Sequence, residues 1–291
     1  MSISFTTPTI VNASGLGGSQ TNVKTAALAT GGYVVAWSTD LGGQTDVIFQ
    51  RFDALGNAVG GPVTANSTTA GNQDLQDIVV TGDGRITLAW IQGTDVVTRS
   101  FDGATGAASS GQVITSAGSG VPTSAQVIAL TNNRYKVVLS SDDGVNTNFE
   151  QAVYNTGGGT IAAKSAIPIS LATGVVINEL VEGNGGGVQF MNLNAGLVLG
   201  TNGTVLSSGS DAADIIKLQD GTHVLMGESQ FHVSLRAISG TGTDLSAYAA
   251  GAPVTATSVA GNSTAGSDVF DRALVNLGGG RILMVWVLDA G

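Results

Sequence analysis

A glycine-led apolar phrase that ends in tryptophan occurs three times in the chain. The copies are GGYVVAW at 31–37, GRITLAW at 84–90 and GRILMVW at 280–286, and they hold the only three tryptophans of the 291 residues, Trp37, Trp90 and Trp286. A recurring phrase indicates a recurring structural unit, because each copy must form the same element in each unit. This repeat constrains the fold more than any other feature of the sequence.

Diverged copies extend the repeat to six units. NRYKVVL, GGVQFM and THVLMG end at Leu139, near Met191 and at Gly227, so the copies lie about 50 residues apart on average. A second phrase, such as IFQRFDALGN at 48–57, follows each of the first five copies. Some units add a third phrase that begins with proline, as in PVTANSTTAGN at 62–72, and a short apolar run precedes each glycine-led phrase. Each unit therefore predicts four short strands joined by Gly, Asn and Asp turns.

Four antiparallel strands in every unit of about 50 residues indicate a β-propeller in which each unit is one blade. We expect an all-β, six-bladed propeller of four-stranded blades that forms a single domain over residues 1–291. The blades would start near residues 23, 75, 124, 176, 213 and 270. A two-sheet sandwich is the alternative, although it would not require the same phrase six times.

The repeated phrase lacks the alternation of polar and apolar residues that a half-exposed strand shows. We expect it to form the second strand of each blade, buried on both faces between neighbouring blades. The closing tryptophan would pack between those blades.

The two ends of the chain complement each other. FTTPTIVNASG at 5–15 is typical of an edge strand, because its proline cannot donate a hydrogen bond to a ladder. The last unit stops after its second strand. We expect residues 1–15 to act as a clasp that supplies the outer strand of the last blade and closes the ring. Three sources remain open for the third strand of that blade: the same segment, none at all, or a partner.

Composition excludes several function classes. The net charge of −10 and the absence of a Lys/Arg cluster disfavour nucleic acid and anionic membranes as partners. Cysteine is absent, which excludes disulfides and thiolate sites, and no apolar run reaches the ~20 residues of a membrane helix. The first residues lack the regions of a secretory signal peptide.

Leu28 to Gln73 resembles a repeat of large bacterial surface and secreted proteins of the RTX-like and adhesin-like kind. The resemblance is carried by GGYVVAW, DVIFQRFDALGNAVGGP and TTAGNQ, with weaker matches in GDGRITLAW, RSFDGATG and GGGRILMVW. It implies a propeller-type repeat, a role in adhesion or a surface matrix, and export without a signal peptide. The chain lacks the glycine-aspartate nonapeptides that hold calcium in many such proteins.

The strongest metal candidate is SDDGVNTN at 141–148, where Asp142, Asp143, Asn146 and Asn148 offer closely spaced oxygen ligands for Ca²⁺. The blade-one loop at 38–46, with Asp40 and Asp46, is its equivalent. Hairpin turns demand the same residue types, so turn formation is the competing interpretation for both loops.

The remaining polar residues give weaker signals. The two histidines, His223 and His232, flank one hairpin turn, but Glu228 alone does not complete a metal site with them, which favours a surface or packing role. Aromatic platforms for sugar binding are few, with Tyr248 and Phe149 as candidates in turn-like or edge positions. Most acidic residues lie in turns, which disfavours a glycoside hydrolase. We expect an axial channel lined by Ser, Thr, Ala and Val rather than by converging charges.

The sequence therefore predicts a non-catalytic structural or adhesion module, extracellular or displayed at a cell surface, that binds a protein or glycan partner, with Ca²⁺ as its one candidate cofactor. A phage-like virion spike, fibre or decoration protein is the alternative, and a carbohydrate-active enzyme is less favoured. The neighbourhood of residues 1–12 and 280–291 is the expected attachment point for a partner, for self-association or for the rest of a longer polypeptide.

Overall fold

The computed structural model describes residues 18–40, 43–68, 70–182, 188–193, 197–200, 205–208, 211–217, 223–229, 232–238, 254–255, 269–278 and 281–288. Side-chain environments are described through residue 177, except at 170, and for Leu180 and Leu193. The part of the chain that is described contains no helix long and apolar enough to cross a membrane.

The described strands form six antiparallel sheets in chain order, five with four strands and one with two. The first sheet contains β1 (Gln20–Ala27), β2 (Gly32–Asp40), β3 (Thr45–Asp53) and β4 (Ala58–Thr64). The second contains β5 (Gln73–Val80), β6 (Arg85–Gln92), β7 (Asp95–Asp102) and β8 (Val113–Ser116). The third contains β9 (Val121–Leu130), β10 (Arg134–Asp142), β11 (Asn146–Asn155) and β12 (Thr160–Ala172).

The fourth sheet contains β13 (Ile177–Glu182), β14 (Val188–Leu193), β15 (Leu197–Gly200) and β16 (Val205–Ser208). The fifth contains β17 (Asp211–Lys217), β18 (His223–Ser229), β19 (His232–Ile238) and β20 (Val254–Thr255), and the sixth contains β21 (Val269–Gly278) and β22 (Arg281–Leu288).

Within each sheet, every strand pairs with the next strand in the chain, and the sheets meet through their first strands. β1 contacts β5, β5 contacts β9, and the same contact continues through β13 and β17 to β21. The first strands are therefore the inner ones and the fourth strands the outer ones. As expected for edge strands, the outer strands β4 and β12 carry Pro62 and Pro168. The architecture is all-β and propeller-like.

The sheets stack face to face through apolar clusters. One cluster joins Val34 and Phe49 of the first sheet to Leu88, Trp90 and others of the second. Two further clusters join the second sheet to the third and the third to the fourth. Successive residues of a strand point to opposite faces, so the second and third sheets each contribute one set of side chains to the preceding sheet and the other set to the next.

The prediction for the repeated phrase is confirmed in the first three sheets. Residues 34–39 of β2, 86–90 of β6 and 137–141 of β10 are all buried, as a second strand covered on both faces requires. Trp90 is 0% exposed and packs between the first and second sheets, as predicted. The side chain of Trp286 lies outside the described residues.

Candidate functional site

The calcium candidate forms the turn between β10 and β11, as the sequence predicted. An Asp142 carboxylate oxygen accepts the Gly144 N–H at 2.7 Å, and the other accepts hydrogen bonds from Thr173 and Gly174 at the entrance to the next sheet. Asp143 Oδ1 accepts the N–H groups of Val145 and Asn146 at 3.0 and 2.8 Å. Both carboxylates therefore hold the turn together.

The Asn148 side chain also serves the turn, since its amide donates to Asp143 Oδ2 at 3.0 Å and to Ser119 Oγ at 3.2 Å. The hydroxyl of Thr173 lowers the pKa of Asp142, and the Asn146 N–H lowers that of Asp143. The described residues contain no group of three or more His, Asp or Glu positioned to hold a metal ion. The geometry favours the turn-forming interpretation, and calcium binding stays a prediction.

A calcium titration separates the two interpretations. If Asp143 holds the turn, Asp143→Ala lowers the midpoint of thermal unfolding at pH 7, and millimolar Ca²⁺ leaves the wild-type midpoint unchanged. Because hydrogen bonds hold the folded pKa below the ordinary 3.8, this stabilisation is present at neutral pH and is lost as the pH falls through that range. Asp95→Asn, in the neighbouring hairpin turn, is the control. A Ca²⁺-dependent rise that Asp143→Ala abolishes would establish a metal site instead.

The equivalent loop of the first sheet shows the same use of acids. Asp40 Oδ1 accepts the Gly43 N–H at 2.6 Å. Asp46 Oδ1 accepts the amide of buried Asn66 at 2.7 Å, while Asn66 Oδ1 accepts the Val47 N–H. The Asp46 and Asn66 bonds anchor the connection from β4 to β5 against the first sheet.

The acid of the second repeat phrase is a turn residue as well. Asp53 accepts hydrogen bonds from Leu55 and Asn57 in the β3–β4 turn, and Asp102 accepts them from Ala104 and Thr105 in the β7–β8 turn. Asn155 accepts the Gly157 and Gly159 N–H groups in the third sheet. The side chain of Asn57 lowers the pKa of Asp53, and the backbone N–H of Thr105 lowers that of Asp102. An Asp or Asn that bonds its own turn explains why the phrase recurs.

The inner strand β5 carries an acidic side chain that bonds the neighbouring sheet. Asp77 on β5 is half-buried, and its Oδ2 accepts the Val127 N–H of β9 at 2.9 Å. Burial raises its pKa to about 6, although the Lys24 charge on β1 acts in the opposite direction. A register shift between Leu75 and Asp77 marks an irregularity in β5 beside this acid. These charges lie on inner strands, and the neutral lining expected for an axial channel stays a prediction.

The histidines do not form a pair. His223 lies opposite Ile238 and His232 opposite Ser229, so the two occupy opposite ends of the β18–β19 ladder. Six residues of strand separate these ends by about 20 Å, which is too far for a shared metal.

Phe149 is not a platform for sugar stacking. It is 1% exposed and belongs to the core between the third and fourth sheets. The assignment to an edge position was wrong because β11 is an interior strand covered by β12. Tyr248 lies outside the described residues.

Hydrogen bonds between sheets were missed by the sequence reasoning. The buried Arg51 guanidinium donates to the carbonyls of Ala104 and Thr105 in the next sheet. Tyr135 bonds Thr98 across a sheet boundary at 2.9 Å, and burial raises the pKa of Tyr135 to about 12. No local motif marks such residues, because each partner lies 37 or more positions away in the sequence.

No protein-family profile matches the chain, and no curated protein has a matching sequence. A protein of unknown function from Dyadobacter fermentans DSM 18053 has a similar solved structure, with a TM-score of 0.54 at 11% identity over 78% of this chain and 80% of that one. Prolyl oligopeptidase B from Galerina marginata gives 0.49 at 9% identity over 86% of this chain and 36% of the other.

Regucalcin, a calcium-binding protein from Agrobacterium tumefaciens str. C58, gives a TM-score of 0.39 at 9% identity over 75% of this chain and 70% of that one. At 11% identity the similarity to the Dyadobacter fermentans protein bears on the fold alone. The ligands and activities of the other two proteins do not transfer to this chain. The resemblance to bacterial surface repeats therefore rests on the repeat phrases by themselves.

Proposed function

We propose that the chain is a non-catalytic β-propeller module that binds a protein or glycan partner at a cell surface or outside the cell. One observation carries this proposal: the carboxylates of the repeat accept hydrogen bonds from neighbouring groups of the protein. Asp53, Asp102, Asp142 and Asp143 accept hydrogen bonds in their own turns. Asp77 accepts one from the neighbouring sheet. Groups with such partners serve the scaffold rather than a reaction.

We also propose that the ring closes with six blades. Trp37 and Trp90 have the same register, since each pairs with the third strand of its own sheet, and Trp90 faces the preceding sheet. The corresponding face of the first sheet, with Val35, Trp37 and Ile48, points away from the second sheet. Trp37 is nevertheless only 2% exposed, which supports the proposal that the last blade covers this face of the first sheet.

The clasp is the next part of the proposal: residues 1–15, which lie outside the described residues, would supply the outer strand of the last blade. Deleting them is expected to lower the midpoint of thermal unfolding and to weaken partner or self-association, because the last blade loses backbone hydrogen bonds and the apolar contacts of Ile10 and Val11. Calorimetry and sedimentation velocity measure the two effects. A variant with Ile10 and Val11 replaced by Ser separates the apolar contacts from the backbone pairing. A deletion variant as stable and as associated as the full chain would leave the segment as a tail.

Display on a surface is a further part of the proposal, supported by the resemblance of Leu28 to Gln73 to bacterial surface repeats. A virion spike or fibre is the alternative setting. Both settings suit a surface that is rich in Ser, Thr, Asn and Gly, with charged residues at only 11% of the chain.

The experiment that tests the non-catalytic function pairs a glycan array with glycosidase and peptidase substrate panels. We expect retention of one glycan class or measurable self-association, with no turnover above the blank. Asp77→Asn would leave binding unchanged, because Asp77 bonds the neighbouring sheet. Turnover that Asp77→Asn abolishes would replace the proposal with an enzyme whose acid lies on the inner strands.

A further inference from the structure

A cavity of about 520 Å³ lies against the second sheet, where the connection from the first sheet enters it. It is bounded by residues 70–72 of the β4–β5 connection with Asp74 of β5, and by the end of β6, residues 91–92, with the β6–β7 turn, residues 93–94. Turns between second and third strands share one end of a propeller with the connections between sheets, so the cavity opens on that end. Its size falls within the range of small-molecule sites.

The cavity exists because the second sheet departs from the pattern of its neighbours. Gly18, Gly71 and Gly120 each lie two positions before the residue that pairs with Thr39, Gln92 or Ser141 near the end of the second strand, and all three have positive φ. A Cβ on Gly18 or Gly120 would meet the carbonyl oxygen of Asp40 or Asp142 at 1.7 or 1.9 Å.

At Gly71 the same position is open, with no atom within 4 Å of a Cβ built there. The residue that corresponds to Asp40 and Asp142 is Gly93, which starts a two-residue turn between Gln92 and Asp95. The short turn withdraws the backbone that fills this space in the sheets on either side. The equivalent place is therefore packed in the first and third sheets and open in the second.

The lining is polar and contains an acceptor with no partner. Gln92 Oε1 is buried and accepts no hydrogen bond. Such an atom is costly unless a donor reaches it. Asp74 and Asn72 line the same space, held in place by Thr45, whose hydroxyl donates to Asp74 Oδ1 and whose N–H donates to Asn72 Oδ1.

We propose that this cavity binds a neutral polyhydroxylated ligand, a single sugar residue of a glycan. Sugar hydroxyls supply donors for Asp74 and, once the partly buried Gln92 side chain turns toward the cavity, for Gln92 Oε1. They also accept from the Asn72 amide and the Thr94 hydroxyl. None of the described lining residues is cationic, which disfavours an anion. Asp74 is the single carboxylate among them, whereas Ca²⁺ takes six to eight oxygen ligands and usually several carboxylates.

The inference rests on the proposed binding function and adds its site and ligand class. The test is an amide NMR titration of the full chain with glucose, galactose, mannose and N-acetylglucosamine, with methylammonium and Ca²⁺ as competing probes. We expect one or more sugars to shift the amides of Gly71 and Gly93 and the side-chain amide of Gln92. Gln92→Met and Asp74→Asn should each weaken that sugar by about tenfold or more. Asp95→Asn, an acid of the same turn outside the lining, should stay within about twofold.

Gln92→Met also separates a ligand site from a folding role. Because the variant removes a buried acceptor without a partner, its midpoint of thermal unfolding should not fall while sugar binding is lost. The site is overturned if no sugar shifts these amides, or if the shifts survive both substitutions. Preferential saturation by methylammonium or Ca²⁺ overturns the ligand class. Cleavage of the bound sugar would overturn the non-catalytic function and keep the site. Glycan binding elsewhere on the chain would overturn the site and keep the non-catalytic function.

Discussion

Trp90→Ala is expected to lower the free energy of unfolding by about 3–5 kcal/mol, the usual cost of truncating a fully buried tryptophan. The indole is 0% exposed and lies among apolar residues of two sheets, including Phe49 and Leu75. Its removal leaves a cavity at a sheet boundary where neighbouring strands cannot collapse without losing their own pairing. Denaturant titration followed by circular dichroism measures the change. Leu55→Ala, at an 88% exposed turn position, is the control and should stay within about 0.5 kcal/mol.

Trp37→Ala, measured in the same way, tests whether the ring closes. If a last blade covers the first sheet as the first covers the second, the loss should match that of Trp90→Ala to within about 1 kcal/mol. A tryptophan at the open end of a stack of sheets has one uncovered side and would cost clearly less. A loss below half of the Trp90→Ala value would therefore argue against closure.

The strand pattern could be predicted because it is local. The apolar phrase around Trp90 has no alternation, and a strand buried on both faces is the structure that such a run forms. The acid of RFDALGN at 51–57 could likewise be assigned to a turn, because Asp53 bonds the N–H groups of Leu55 and Asn57, two and four residues away. Both features are set by residues that are near one another in the sequence.

The bonds between sheets could not be predicted, because they depend on which residues meet after the sheets stack. Arg51 looks like a surface residue of a polar phrase, yet it is 5% exposed and caps a turn more than fifty positions away. Ser38 looks like an ordinary strand end, yet its hydroxyl accepts the Leu75 N–H of the next sheet at 2.8 Å.

The cavity was missed for a related reason. It arises because the turn between the second and third strands has two residues in the second sheet and more in the neighbouring sheets. In an alignment of the repeats, this difference looks like ordinary variation in loop length. Gly93 therefore carries information only in comparison with Asp40 and Asp142, whose backbones occupy the corresponding space in their own sheets.

Asp77 is expected to make the protein less stable as the pH rises. Its pKa is raised from 3.8 to about 6 by burial, so the folded state binds a proton that the unfolded state releases between these values. The contribution of this group to the free energy of unfolding is therefore highest below pH 4, falls as the pH rises through the window from about 4 to about 6, and is flat above it. A shift of this size corresponds to a decrease of about 3 kcal/mol.

Asp77→Asn removes the titration and keeps a side-chain oxygen for the Val127 N–H. The difference in unfolding free energy between wild type and Asp77→Asn should therefore slope between pH 4 and pH 6, and the denaturant midpoint at half-unit pH steps measures it. Lys24→Met should extend the upper limit of the window to higher pH, because the Lys24 charge lowers the pKa of Asp77 in the folded protein. Asp102→Asn is the control with the opposite sign: hydrogen bonds hold its pKa below 3.8, so its stabilising effect is lost only as the pH falls through that range. If the difference in unfolding free energy between wild type and Asp77→Asn is constant from pH 4 to pH 7, Asp77 keeps an ordinary pKa in the folded protein. Water would then reach this side chain on the inner strands.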